Sequence, residues 1–309
     1  MIDRMYQPRR PSHSEFIPLR GLEHHVRIWG DLASGQPPIV MLHGWMDVGA
    51  SFQFVVDAMQ TDRPVIAPDW RGFGLTDSRG ADNFWFPDYL ADLDGLLDHY
   101  LQDRPADIVG HSMGGNTSMF YAGARPERVR RLVNLEGFGM PRTRPQQAPA
   151  RLAKWMDELK SLRNGELDLQ TYPELSGVAR RLMRTNPRLA QDKADWLASH
   201  WATQTTRPDG TPAWRILGDA AHKIVNAYLY RVEEAVELNK AIQAPVLAVE
   251  AVDGMLKTWK KRGMEEDMLA RLKEVPRIEF VRIEEAGHML HHDRPEEVAA
   301  RIEEFLNRT

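Results

Sequence analysis

The sequence predicts an α/β protein with a mostly parallel, doubly wound sheet, and three observations lead there. The runs at 38–42, 64–68, 106–109, 132–136, 245–249 and 277–281 have strand length. In the first half they are continuous apolar runs rather than alternating ones, which marks strands buried on both faces. Helical patterns separate them, as crossovers between parallel strands require.

Residues 15–30 carry two short alternating segments that read as an edge hairpin. The strand at 38–42 ends at His43-Gly44, and a helix is expected over 51–59. The strand at 64–68 leads into the loop Asp69-Trp70-Arg71-Gly72-Phe73-Gly74, then a helix through Tyr89 to Leu101. The strand at 106–109 runs into Gly110-His111-Ser112-Met113-Gly114, with helical sequence from 116 to 124 and a strand at 132–136. At Phe138 the rhythm breaks. From 140 to 240 the signals are almost wholly helical, with Leu152, Trp155, Met156, Leu159 and Leu162 at helical spacing and a loop at Arg207-Pro208-Asp209-Gly210. The strand pattern then resumes and ends in a helix whose start, at Asp293 and Glu296, resembles a capping box; Val298, Ile302, Phe305 and Leu306 form its buried face. The expected organisation is a core of 1–139 and 241–309 with a helical cap of 140–240 inserted.

Composition narrows the possible functions. Forty basic against forty-four acidic residues leave a net charge of −4, too balanced to indicate nucleic acid as partner. No apolar run approaches the ~20 residues of a membrane span, and Met1-Ile2-Asp3-Arg4-Met5 has no apolar region of a secretory signal. A cytoplasmic protein is expected, and a homodimer stays open. The chain has no cysteine, so disulfides, thiol catalysis and thiolate metal sites are excluded. Gly30 and Gly35 lack any P-loop or dinucleotide pattern, so no cofactor is expected.

Ser112 lies between a strand and a helix with glycines at 110 and 114. Such a serine sits on a sharp, strained turn that lifts its hydroxyl clear of the sheet and leaves the Met113 N–H at a helix N-terminus. A serine hydroxyl needs a base, and the base needs an orienting acid. His288, after a glycine beyond the last strand, is the base candidate. Asp253, in Glu250-Ala251-Val252-Asp253-Gly254, is the preferred acid, with Glu136 as the alternative because it also follows a strand end. His43 reads as a structural hydrogen-bonder and His111 as part of the pocket rim. Asp69 and Arg71 read as loop braces, with Asp69 a remote substitute acid. His288, His291, His292 and Asp293 are metal-ligand types without a zinc spacing, so no metal is expected.

With these residues the chain resembles the α/β-hydrolase superfamily over nearly its whole length. The resemblance rests on His43-Gly44-Trp45, Asp69-Trp70-Arg71-Gly72-Phe73-Gly74, the serine turn, Asp253 and Gly287-His288. Within the superfamily it is most similar to small bacterial serine-hydrolase-like proteins. The insert falls between the sixth and seventh strands of the family pattern, where members carry a cap. The resemblance implies that Ser112 attacks a carbonyl, that His288 moves the proton and that the N–H groups of Met113 and Trp45 bind the oxyanion. The expected substrate is a small apolar acyl ester, with water as second reactant. One or two of the cap aromatics Trp155, Trp196, Trp201 and Trp214, with Trp45 and Phe84-Trp85-Phe86, are expected to wall an apolar pocket. Thioester, lactone or amide cleavage, carbon–carbon bond hydrolysis of dienoic diketones and a slow-turnover receptor remain open alternatives. Some relatives take the acid from the position of Glu136; the single-glycine loop at Gly44 departs from lipase-type Gly-Gly-Gly loops.

Overall fold

The computed structural model describes residues 5–207 and 209–308; Met1–Arg4, on which the reading of a non-secretory start partly rests, and Pro208 of the expected loop lie outside them. The chain opens with the hairpin of β1 (Ser12–Leu19) and β2 (Leu22–Trp29). Arg20 and Gly21, the only residues between Leu19 and Leu22, have φ of 48° and 79°. Two positive φ values in a two-residue loop match the right-handed strand twist. There follow β3 (Ile39–Leu42), α1 (Gln53–Ala58), β4 (Val65–Pro68), α2 (Phe86–Leu101), β5 (Ala106–His111), α3 (Met113–Ala124) and β6 (Val129–Leu135). After the insert come β10 (Val246–Asp253), α8 (Met255–Lys260), α9 (Glu265–Leu272), β11 (Ile278–Gly287), α10 (Leu290–Asp293) and α11 (Pro295–Leu306).

The main sheet has the order β1-β2-β4-β3-β5-β6-β10-β11. Only the β1–β2 and β2–β4 pairs are antiparallel. From β4 onward every pairing is parallel. One face is covered by Leu93, Leu96 and Leu97 of α2 with Met119 and Ala122 of α3. The other is covered by Val55 and Val56 of α1 with Val298, Ile302 and Phe305 of α11. Both faces of β3, β4 and β5 are therefore buried, which accounts for their continuous apolar sequences. No helix among the described residues is long and apolar enough to cross a membrane.

The insert holds α4 (Ala148–Arg163), β7 (Thr171–Tyr172), α5 (Leu175–Thr185), α6 (Gln191–Trp201), β8 (Ala202–Thr206), β9 (Pro212–Ile216) and α7 (Val232–Ala241). The expectation of an almost wholly helical insert is corrected here: β7, β9 and β8 form an antiparallel three-stranded sheet. The threonine-rich run Thr203-Gln204-Thr205-Thr206 pairs with β9, in keeping with the β propensity of β-branched threonine. On α4 the helically spaced apolar residues are not buried, and Leu152 and Met156 are largely exposed. The capping box is also corrected. Asp293 accepts from the Gly287 N–H and from the Asn186 side chain, and Arg294 is the N-cap of α11.

Several contacts tie the insert to the sheet. The His222 ring stacks between Phe73 and Phe84, at centroid distances of 3.6 and 3.7 Å. The Trp201 Nε1–H donates to Asp47 Oδ1 at 3.2 Å. Trp196 and Trp201 pack with Val48 and Phe54 in a third core cluster, and Trp214 lies against it. Trp155 donates to Asn83.

Candidate active site

Ser112 follows β5 and precedes α3 with φ 52° and ψ −112°, a conformation that costs a non-glycine residue about 1–3 kcal/mol. Its neighbours explain why the turn closes. A Cβ on Gly110 would stand 2.5 Å from the Gly114 carbonyl oxygen, and one on Gly114 would stand 2.1 Å from that of Leu42. Glycine at both positions lets strand, turn and helix approach without side chains between them. A Cβ on Gly44 would lie 3.2 Å from the Ser112 Cβ, so the His43-Gly44-Trp45 loop rests directly against the serine. Met113 is the first residue of α3, and its N–H has no acceptor within the helix.

The Ser112 hydroxyl lies 3.0 Å from His288 Nε2. His288 sits just beyond β11, and its Nδ1–H donates to Glu136 Oε2 at 3.2 Å. The structure thus joins Ser112, His288 and Glu136 in one hydrogen-bonded chain. The imidazole is about one-third exposed, whereas the Glu136 carboxylate is fully buried.

Glu136 is aimed by the turn after β6. The buried Asn134 side chain donates to the Gly137 carbonyl and accepts from the Gly137 N–H, at 2.7 and 2.9 Å. Glu136 between them takes φ 59°. Its carboxylate then accepts from the Ala251 N–H at 2.8 Å and from the Met255 N–H at 2.7 Å. These two bonds and His288 satisfy a buried charge that would otherwise be costly.

The preferred acid, Asp253, does not reach His288. Its carboxylate pairs with Arg188 at 2.5 Å and with Lys257, on the surface. Lys257 first, then Arg188, hold it below the usual carboxylate range. The physical reason lies in the strand end: Ala251 pairs with Ile283 but Asp253 with Gly287, so β11 carries two extra residues there and the ladder shifts register. Beyond this shift Asp253 points to solvent, while the backbone N–H groups of Ala251 and Met255 donate to Glu136. Sequence order alone does not reveal that shift.

The other candidates have structural partners. His43 Nδ1–H donates to the Gly44 carbonyl at 2.7 Å, and its Nε2 accepts from the Trp70 N–H at 2.9 Å. Burial holds His43 below the ordinary histidine range. Asp69 accepts from Gly49 and Leu75 N–H groups and from His25. Arg71 pairs with Asp92. His111 is fully buried rather than at a rim, and its Nε2–H donates to the His288 carbonyl at 2.8 Å.

Beneath the site, Asp47, His111 and His291 present ligand-type atoms within 4.8 Å of one another, and all three are buried. They are the described residues best suited to hold a cation. His291 Nε2 lies 3.7 Å from Asp47 Oδ2. Burial pushes the Asp47 carboxyl up, but His291, His292 and His43 outweigh it and leave the group below the usual range. This grouping has no sequence signal, because its members come from three distant segments. It also separates His291 from His288 and Asp293, with which the sequence associates it.

A family model described as the alpha/beta hydrolase fold matches residues 37–295. The chain belongs to the α/β-hydrolase family. It is 27% identical to a serine hydrolase-like protein of Danio rerio, over 96% of this chain and 89% of that protein. It is 28% identical to the AB hydrolase superfamily protein YfhM of Bacillus subtilis, over 94% and 97% of the two chains. Among solved structures, a hypothetical protein of Pseudomonas aeruginosa superposes with a TM-score of 0.79 at 25% identity, covering 95% of this chain and 97% of that one. The protein is a hydrolase-family member with a mostly parallel α/β-hydrolase sheet and serine-hydrolase-like relatives.

Proposed function

We propose that this hydrolase cleaves a carboxylic ester through an acyl-enzyme formed on Ser112. The observation that carries the reading is the continuous chain from the Ser112 hydroxyl through His288 to Glu136, at 3.0 and 3.2 Å. His288 Nε2 takes the hydroxyl proton as the oxygen attacks the ester carbonyl carbon. The negative charge that develops on the carbonyl oxygen meets the N–H groups of Met113 and Trp45. When the carbonyl re-forms, the alkoxide leaves and receives the proton from His288. Water then loses a proton to the same nitrogen, attacks the acyl carbon and releases the acid, returning the proton to Ser112. Glu136 fixes the Nδ1–H tautomer and offsets the imidazolium charge.

We read 140–240 as a cap over this centre. Support comes from the Trp201–Asp47 hydrogen bond, the Arg188–Asp253 pair and the clamped His222 ring. An apolar acyl group suits the surroundings, since the indole of Trp45 is 54% exposed beside the proposed oxyanion loop. The buried Trp196 and Trp201 pack with core residues.

A panel of p-nitrophenyl esters of rising chain length, with wild type and Ser112→Ala, tests the reading. Turnover abolished in Ser112→Ala, and a fluorophosphonate adduct on Ser112 in wild type, are expected. A labelled serine without ester turnover would turn the assignment toward carbon–carbon bond cleavage or ligand reception. No labelling would remove the nucleophile.

A further inference from the structure

A polar cavity of about 200 Å³ lies where β2, one strand in from the sheet edge, meets the insert, well above the space one buried water needs. His25 and Arg27 of β2, Val48 and Ala50 of the loop before α1, and His200 and Thr203 around the α6–β8 junction line it. The side chain of Arg27 is the unusual member. Its Nη1 donates to Ser12 at 2.8 Å and its Nη2 to His200 Nδ1 at 3.3 Å, while its buried Nε–H has no partner. Among the described residues no carboxylate lies within salt-bridge reach of it. Three other inward-lying guanidinium groups are matched by carboxylates: Arg63 by Asp107, Arg71 by Asp92 and Arg271 by Asp267.

A partly desolvated cation without a counter-charge is unfavourable, and a guanidinium presents a planar fork suited to oxyanions. Burial pulls Arg27 below its ordinary range, with Asp69 partly opposing. Asp69 also lines the cavity, but its oxygens already accept from Gly49, Leu75 and His25. Because His200 Nδ1 accepts from Arg27, the neutral ring carries its hydrogen on Nε2, a further donor. Ser14, His25 and Asp69 form a serine–histidine–carboxylate chain like that at Ser112, with aspartate in place of glutamate and both spacings 2.8 Å. Ser14 nevertheless lies mid-strand rather than on a helix-facing turn.

We propose that this cavity binds a small oxyanion, a phosphate or carboxylate group, held by Arg27 between β2 and the insert. The occupant supplies the missing counter-charge and ties β2 to the α6–β8 junction.

Calorimetric titration with inorganic phosphate, and separately with acetate, at constant ionic strength tests this. Thermal unfolding is followed in parallel. Wild type is expected to bind at least one of the two saturably and to unfold at higher temperature as it fills, since a ligand of the native state alone stabilises it. Ser112→Ala should behave identically, which separates this site from the proposed chemistry. Arg27→Gln should abolish binding. Arg27→Lys, which keeps the charge but loses the fork, should weaken it by ~10-fold or more. Absence of saturable binding of either anion to wild type would overturn the proposal. So would wild-type affinity in Arg27→Lys or in folded Arg27→Gln.

Discussion

The carboxylate of Glu136 occupies the space that a side chain on residue 254 would fill: a Cβ on Gly254 would stand 2.3 Å from Glu136 Oε2. The glycine that follows Asp253 thus makes room for a different acid, one supplied by the turn after β6. Gly254 also precedes Met255, whose N–H binds that carboxylate. Gly254→Ala should displace Glu136 and tilt His288. We expect kcat for p-nitrophenyl acetate to fall at least ~10-fold with a smaller change in KM, checked by steady-state kinetics on protein with a native circular dichroism spectrum.

Gly44 plays a parallel part on the other side of the serine. A Cβ there would meet His111 Nδ1 at 2.9 Å and the Ser112 Cβ at 3.2 Å. Gly44→Ala should push the loop bearing the Trp45 N–H away from the developing oxyanion. Loss of one such donor costs ~10²–10³ in kcat. Fluorophosphonate labelling should slow in the same variant, because that adduct also places an oxygen in the oxyanion position.

Acid stability should depend on the clamped histidine of the insert. Burial between Phe73 and Phe84 lowers the His222 pKa to about 3 from the ordinary histidine value of 6.5, so the unfolded chain takes up a proton that the native protein excludes. Stability from this group is complete above the unfolded value and is lost as pH falls from 6.5 toward about 3. His200, lowered to about 4 by burial and then by Arg27, acts in the same direction. The unfolding temperature should drop between pH 7 and pH 5, and Phe in place of His222 should make that drop shallower. Equal slopes in wild type and His222→Phe would show that the ring does not contribute.

Much of the site was legible because its signals are local. The glycines around Ser112 encode a turn whose geometry needs no distant information, and His43-Gly44-Trp45 and Gly287-His288 each lie at the end of a strand whose pattern is plain. The acid was not legible in that way. Asp253 and Glu136 both follow strand ends, and the choice turns on the β10–β11 register shift between Ala251 and Asp253. That shift exists only once β10 and β11 are paired, and the local 134–137 turn held by Asn134 aims Glu136 at the Ala251 N–H only once β6 and β10 lie side by side. The small sheet of the insert was obscured because β7 has two residues and β8 is largely polar. The grouping of Asp47, His111 and His291 depends on the loop after β3, the end of β5 and α10 meeting beside Ser112.

The comparison of Glu136→Gln with Asp253→Asn tests the central claim most directly, with kcat/KM for p-nitrophenyl acetate measured on both. An amide at 136 keeps the shape but removes the charge opposite His288, and a drop of roughly 10³–10⁴-fold is predicted. Asp253→Asn should stay within about threefold of wild type, because an exposed ion pair contributes little. Full activity in Glu136→Gln together with collapse in Asp253→Asn would contradict the account.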